Sequence, residues 1–263
     1  MKKIAIGTLK GGVGKTQMVF NISAILAEKG FKVLAFDNDP QGNTTNDMGV
    51  NKRAEGFLSA SEIYENNVKA EDIILKSPIQ ELPTLDLICG SLDMTASEMR
   101  IISYAGREKI LSKWFDNNKE YLDQYDYVLF DTNPSFSVIN QNAFLVSDSI
   151  ILVTNVGANG LEGAGYFIDL WSDILSRLDL DNNIKGLVIN QFRSNTSESR
   201  DFIEYLKDHE IYKQILLDNI IPLNVRLSES ETCFLPINIY DRNSAGGKAY
   251  LSLVDELMEK EII

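Results

Sequence analysis

Cysteine is scarce in this chain of 263 residues: Cys89 and Cys233 are the only two. They match no ligand spacing and form no disulfide framework or zinc set. Both read as small buried residues of a protein kept in a reducing compartment, the cytoplasm. The single histidine, His209, lies among charges in YLKDHEIY without a triad partner, and reads as a surface helix residue. No apolar run reaches the roughly eighteen residues that a membrane-spanning helix needs. The start, MKKIAIGTLKGG, is positive, but its apolar part is short and leads into glycines, so it reads as a first strand rather than a signal peptide. Low-complexity tracts, internal repeats and Pro/Ser-rich linkers are missing too, and residues 1–263 read as one domain. Positive charge is the scarce sign: 25 Lys and Arg stand against 38 Asp and Glu, a net charge of −13. That excludes a general nucleic-acid coat, because phosphate binding rests on Lys and Arg. It leaves room for a local basic patch, since the field near a site depends on where charges cluster.

What is present is an alternation of short apolar runs with longer helical ones. KKIAIGT, KVLAFD, LDLICG, YVLFD, SIILVTN and IKGLVIN read as buried strands. Between the first two, TQMVFNISAILAEKG carries Met18, Ile22, Ile25 and Leu26 at helical spacing, with Gly30 as its stop. AGREKILSKWFDNNKEYL and GAGYFIDLWSDILSRLDL read as further helices, the aromatics of the latter facing the core. The less regular stretch from about 40 to 84 reads as loops and short helices after the second strand. Strands apolar on both faces and separated by helices predict an α/β fold, a doubly wound, mostly parallel sheet with helices on both faces.

Three motifs carry chemistry. After the first strand and before the first helix comes Lys10-Gly11-Gly12-Val13-Gly14-Lys15-Thr16. Glycines let backbone N–H groups wrap phosphate oxygens, the helix N-terminus adds partial positive charge, and Lys15 neutralises the β and γ oxygens. The Thr16 hydroxyl is placed to ligate Mg²⁺. The second strand ends in Asp37 and Asp39, over the carboxyl edge where ligands of parallel sheets bind. Beside Mg²⁺ and a γ-phosphate, one of them can hold metal-bound water and the other orient the attacking water. The fourth strand, YDYVLFDTNPS, closes on Asp131, the Walker B form whose carboxylate reaches Mg²⁺.

Lys-Gly-Gly-x-Gly-Lys-Thr, then Asp-x-Asp-Pro-Gln-Gly-Asn, then a Walker B strand resembles the ParA family, the deviant Walker P-loop ATPases that partition plasmids and chromosomes. GSLDMTASEM (90–99), Leu161-Glu162-Gly163, IPLNVRLSES (221–230) and LPINIYDRNSAGGKAYLSLVDEL (235–257) are similar to later family segments, so the resemblance spans the chain. It implies the cofactors ATP and Mg²⁺. Gly11, Gly12, Val13, Gly14, Lys15, Thr16 and Gln17 would bind the phosphates, Asp39 would orient the hydrolytic water, and Asp37 and Asp131 would support the metal. Asn190 would contact the adenine, and Pro222 would open the segment lying along the base. Lys10 matches the signature lysine that crosses a dimer interface to the partner's nucleotide. A cation supplied in trans stabilises phosphate charge as an arginine finger does.

The resemblance further implies an ATP-dependent homodimer that binds DNA non-specifically on the nucleoid and is released when a ParB-type centromere-binding protein stimulates slow hydrolysis. With no DNA-binding extension before the first strand, the chain is expected to lack specific operator binding. Three departures stand out. Gln17 replaces a usual Thr, Asn133 stands where Pro is common, and the last third is acidic, so that Arg193, Arg200, Arg226 and Arg242 are the candidate DNA contacts. Other readings are a MinD-like membrane-recruited protein, a protein-cargo positioner, and a metal-cluster carrier like the nitrogenase iron protein. The acidic tail YLSLVDELMEKEII argues against the membrane reading, despite the stripe of Leu251, Val254 and Met258. The missing cysteine motif argues against the cluster carrier.

Overall fold

The computed structural model describes residues 1–263, the side chain of Asn159 aside. All six expected strands form: β1 (Lys2–Gly7), β2 (Val33–Asp37), β3 (Leu85–Ile88), β4 (Tyr127–Asp131), β5 (Ser149–Asn155) and β6 (Ile184–Asn190). They make one sheet in the order β3-β2-β4-β1-β5-β6, with every neighbouring pair parallel. Its carboxyl edge therefore gathers the ends of β1, β2 and β4, where the chain order switches direction and ligands of such sheets bind.

The helices follow the strands. α1 (Lys15–Glu28) joins β1 to β2, and α2 (Asn43–Asp47), α3 (Ser61–Asn66) and α4 (Ala70–Ile73) fill the irregular stretch before β3. α5 (Asp93–Ile101), α6 (Ile110–Asn117) and α7 (Lys119–Leu122) precede β4, α8 (Val138–Val146) precedes β5, and α9 (Ala158–Leu178) precedes β6. Then come α10 (Ser197–Asp208), α11 (Tyr212–Ile215), α12 (Val225–Thr232), α13 (Ile237–Tyr240) and α14 (Ala245–Glu259).

Strand residues alternate between two cores, as the period of two requires. Ile4, Ile6, Val33, Ala35 and Leu129 face α1 and α14, with Tyr250, Leu253 and Leu257. Ala5, Leu34, Phe36, Val128 and Phe130 face the other layer, with Trp114, Phe144, Phe167 and Trp171. The tail's apolar stripe is spent here: Val254 is buried, and Leu251 and Met258 pack against the α1 core. No described helix is long and apolar enough to cross a membrane.

Two expectations need correction. The segment 105–122 is not one helix but is divided at Asn118, whose Oδ1 accepts from Ala70 N (2.8 Å) and whose Nδ2 donates to Trp114 O (2.9 Å). An Asn that bonds the backbone locally competes with helix continuation. Cys89 is buried as expected, but Cys233 is exposed. It lies at the end of α12, where the chain turns outward through Phe234 at φ 56° before α13. His209 ends α10, its ring lying 4.5 Å from that of Tyr212.

Candidate nucleotide site

The loop between β1 and α1 needs its glycines for two separate reasons. Gly12 (φ 74°) and Gly14 (φ 90°) adopt left-handed backbone that other residues rarely hold. At Gly14 a Cβ would also lie 2.2 Å from Asn190 Nδ2. The Val13 side chain packs in the core, and its carbonyl accepts from Asn190 Nδ2 at 2.7 Å. Gly14 caps α1 without a side-chain acceptor, and the first turn holds no acid, so its N–H groups are open to an anion. Lys15 is buried, with Nζ 3.3 Å from the Lys10 carbonyl. Burial lowers its pKa, against the charges of Asp131 and Asp39.

The three aspartates meet at the carboxyl edge. Asp37 and Asp131 are register partners on β2 and β4. Asp37 Oδ2 accepts from Thr45 N (2.8 Å) and Thr45 Oγ1 (2.6 Å). Asp131 Oδ2 accepts from Thr44 Oγ1 at 2.8 Å, while its Oδ1 is buried with no partner. Both carboxyls are pushed above the usual range, first by burial; Asp131 raises Asp37 further, and the Thr44 and Thr16 hydroxyls pull Asp131 back. Asp39 is nearly buried, and its Oδ1 accepts from Gln41 N at 2.8 Å. Gly90 is needed behind them, because a Cβ there would stand 2.7 Å from Asp37 Cγ and 2.8 Å from the Asp39 carbonyl.

Lys15 and Asp39 open onto a cavity of about 500 Å³, while Asp37 and Asp131 lie fully buried behind its lining. Gly11, Gly12, Gly14, Lys15, Thr16, Gln17 and Asp39 line it, together with Asp47, Gln191, Ser228 and Glu231. Ser228 belongs to the family-like segment 221–230, whereas Asp47, Gln191 and Glu231 carry no motif that the sequence exposes. Gln191, held at φ 55°, donates Nε2 to the Gly12 carbonyl at 3.0 Å. Among the described residues no three His, Cys, Asp or Glu side chains form a self-sufficient metal cage. The orphaned Asp131 Oδ1 near the Thr16 hydroxyl instead suits a hard cation that completes its shell with phosphate and water oxygens.

Other expected residues stand apart from the cavity lining. Asn190 is fully buried and uses Nδ2 on Val13 and Oδ1 on Gln191 N (2.9 Å). Pro222 pairs with Phe192 in an isolated parallel bridge. Lys10 Nζ is bonded to Asn155 Oδ1 (3.0 Å) at the end of β5 in its own chain. Gly163 gives it room, since a Cβ there would lie 3.1 Å from Lys10 Cβ. Asn133, which stands where Pro is common, is bonded inward: its Oδ1 accepts from Asn140 Nδ2 at 2.8 Å. Arg226 pairs with Glu229 and Asp241, and Arg242 with Glu28. Arg193 and Arg200 are exposed and form no ion pair among the described residues.

Residues 1–185 match the AAA domain family. The chain is 31% identical over 256 residues to the sporulation initiation inhibitor protein Soj of Bacillus subtilis, covering 97% of this chain and 98% of Soj. The chain belongs to the ParA/MinD superfamily of P-loop partition ATPases. Another ParA relative, the chromosome partitioning protein ParA of Myxococcus xanthus, is 30% identical over 98% of this chain and 88% of its own. Beyond partition proteins, the ParA-type fold here matches cobyrinic acid a,c-diamide synthase of Mycobacterium smegmatis with bound ATP analog and magnesium. That match has TM-score 0.79 and 25% identity, over 98% of this chain and 95% of the synthase.

Proposed function

We propose that this protein is an Mg²⁺-dependent ATPase whose nucleotide state controls its dimerisation, and that the ATP dimer binds DNA non-specifically until a ParB-type partner stimulates hydrolysis. The carrying observation is the buried Asp131 Oδ1, unpartnered beside Lys15 and the Thr16 hydroxyl at an uncapped helix N-terminus. A buried carboxylate oxygen left without a donor is costly unless a ligand uses it. The bound nucleotide and magnesium of the synthase and the partition role of the ParA relative support the same reading.

In this mechanism the loop N–H groups and Lys15 hold the triphosphate. Thr16 and Asp131 would hold Mg²⁺, with Asp37 beside Asp131 on the neighbouring strand. The ion supplies charge neutralisation at the β and γ oxygens. Asp39, fixed by Gln41 N, orients the attacking water. Lys10 leaves Asn155 and reaches the phosphates of a second copy, so each site is completed in trans. Turnover is slow because Asp39 only orients the water, and partner contact must complete the site. The protein acts in the bacterial cytoplasm, on the nucleoid. Arg193 and Arg200 are the DNA contacts we favour, because Arg226 and Arg242 are already paired with acids.

Size exclusion of Asp39→Ala with Mg-ATP tests the reading. A dimer with ATP and a monomer with ADP are expected, and a strictly monomeric variant contradicts the sandwich. DNA binding by the trapped variant is expected to need ATP and to fall steeply with salt. A protein-cargo role is the second reading, favoured by the net charge of −13 and the internal pairing of two of the four arginines. Absence of DNA binding at low salt decides for it.

A further inference from the structure

The cavity lining has two chemically different parts. Glycines, Lys15 and Thr16 form one, whereas Asp47 from α2, Glu231 from α12 and Ser228 form the other. Glu231 is held by a relay across the α1 layer. The hydroxyl of Tyr250, fully buried on α14, donates to Gln17 Oε1 at 3.3 Å, and Gln17 Nε2 donates to Glu231 Oε1 at 2.8 Å. With its oxygen engaged by Tyr250, the Gln17 amide turns its donor toward position 231, which suits an acceptor there. Glu231 Oε2 has no hydrogen bond among the described residues. Burial holds both acids above the usual carboxylate range, Asp47 up to about 7, where the Glu231 charge adds to the effect. In their ionised form two half-buried carboxylates have the wrong sign for phosphate and call for donors from whatever fills that part of the cavity.

The geometry points to Glu231, seconded by Asp47, as a specificity-determining residue that accepts a hydrogen bond from the nucleoside half of the bound triphosphate. This inference rests on the ATP reading above, since it is the loop at Gly11–Thr16 that fixes where the phosphates lie. A nucleoside offers such donors on its ribose hydroxyls and on the exocyclic amine of its base. The Gln17 that departs from the family pattern is then the tether of this acceptor.

The test is calorimetric titration of the full-length protein with ATP, 2′-deoxy-ATP, 3′-deoxy-ATP and purine riboside triphosphate, all with Mg²⁺. Wild type is expected to bind ATP roughly ten- to a hundredfold more tightly than whichever analogue lacks the donor that is read, the range for a hydrogen bond to a charged group. Glu231→Gln should weaken ATP by a similar factor and bind that analogue and ATP alike. Asp47→Asn, which leaves the Gln17–Glu231 contact in place, should lose severalfold on ATP and provides the test if Glu231→Gln misfolds. The inference is overturned if wild type binds all four alike, if Glu231→Gln keeps the preference, or if that variant binds ATP more tightly through relief of repulsion. A wild type that binds none of them removes the ATP reading itself, and Glu231's role with it.

Discussion

Two buried carboxylates at different places in the fold, Asp131 and Glu256, have contrary surroundings. Asp131 closes β4 at the carboxyl edge with one oxygen bonded and the other orphaned, and its pKa is driven up by burial. Glu256 sits on α14 and is also buried, though less completely. It accepts from Asp218 N (2.7 Å), Asn219 N (2.9 Å), Asn219 Nδ2 (2.7 Å) and Lys260 Nζ (2.6 Å). Burial pushes its pKa up, but Lys260, Asp218 and Asn219 outweigh this and hold it below the usual range. Burying a charge is costly unless it is paired and hydrogen-bonded. Glu256 meets that condition inside the chain and fastens α14 to the segment before Ile221. Asp131 does not, and its deficit is what a bound ion would remove. One acid builds the fold, the other builds the site.

The contrast yields graded expectations. Glu256→Ala leaves the Asp218 and Asn219 N–H groups without an acceptor, though Asn219 Nδ2 keeps the Ser252 carbonyl and Lys260 keeps Asp218, and should cost about 3 kcal/mol in urea unfolding. Gly90→Ala attacks the other region, forcing the Asp37 carboxyl and the Asp39 backbone to move. It should cost about 2 kcal/mol and also weaken Mg-ATP binding. Acid titration separates the regions further. Because the folded pKa of Glu256 is depressed, its stabilisation is present above the unfolded carboxylate pKa and is lost as pH falls through the folded value. Thermal melts of wild type should therefore lose stability on that acid limb, and Glu256→Gln should lose correspondingly less. Arg242→Ala breaks only the exposed pair with Glu28 and should change unfolding by less than about 0.5 kcal/mol.

Much of the fold was legible because its signals are local. Each strand is a short apolar run, and α1 lies between a glycine turn and Gly30, so periodicity and punctuation suffice. The phosphate loop and the three aspartates were legible because they sit at strand ends within their own motifs. The Gln17–Glu231 contact joins residues 214 positions apart and has no spacing to betray it. Asp47 and Gln191 reach the cavity only because α2 and the end of β6 are folded against the loop. Asn190 and Asn133 show the converse: polar residues beside a site can be spent on internal bonds, Asn190 on the Val13 carbonyl and Asn133 on the Asn140 side chain. The exposure of Cys233 depends on a left-handed turn at Phe234, a residue type that gives no such warning.

The most direct test of the central claim is Asp131→Asn, read by thermal unfolding without ligand and by calorimetry with ATP in the presence and absence of Mg²⁺. The account predicts ligand-free stability within about 1 kcal/mol of wild type, or higher, because a buried charge lacking a full set of donors is removed. It also predicts that the Mg²⁺-dependent part of ATP binding disappears. A variant that unfolds readily without ligand yet binds Mg-ATP like wild type would place Asp131 with Glu256, as a residue of the fold.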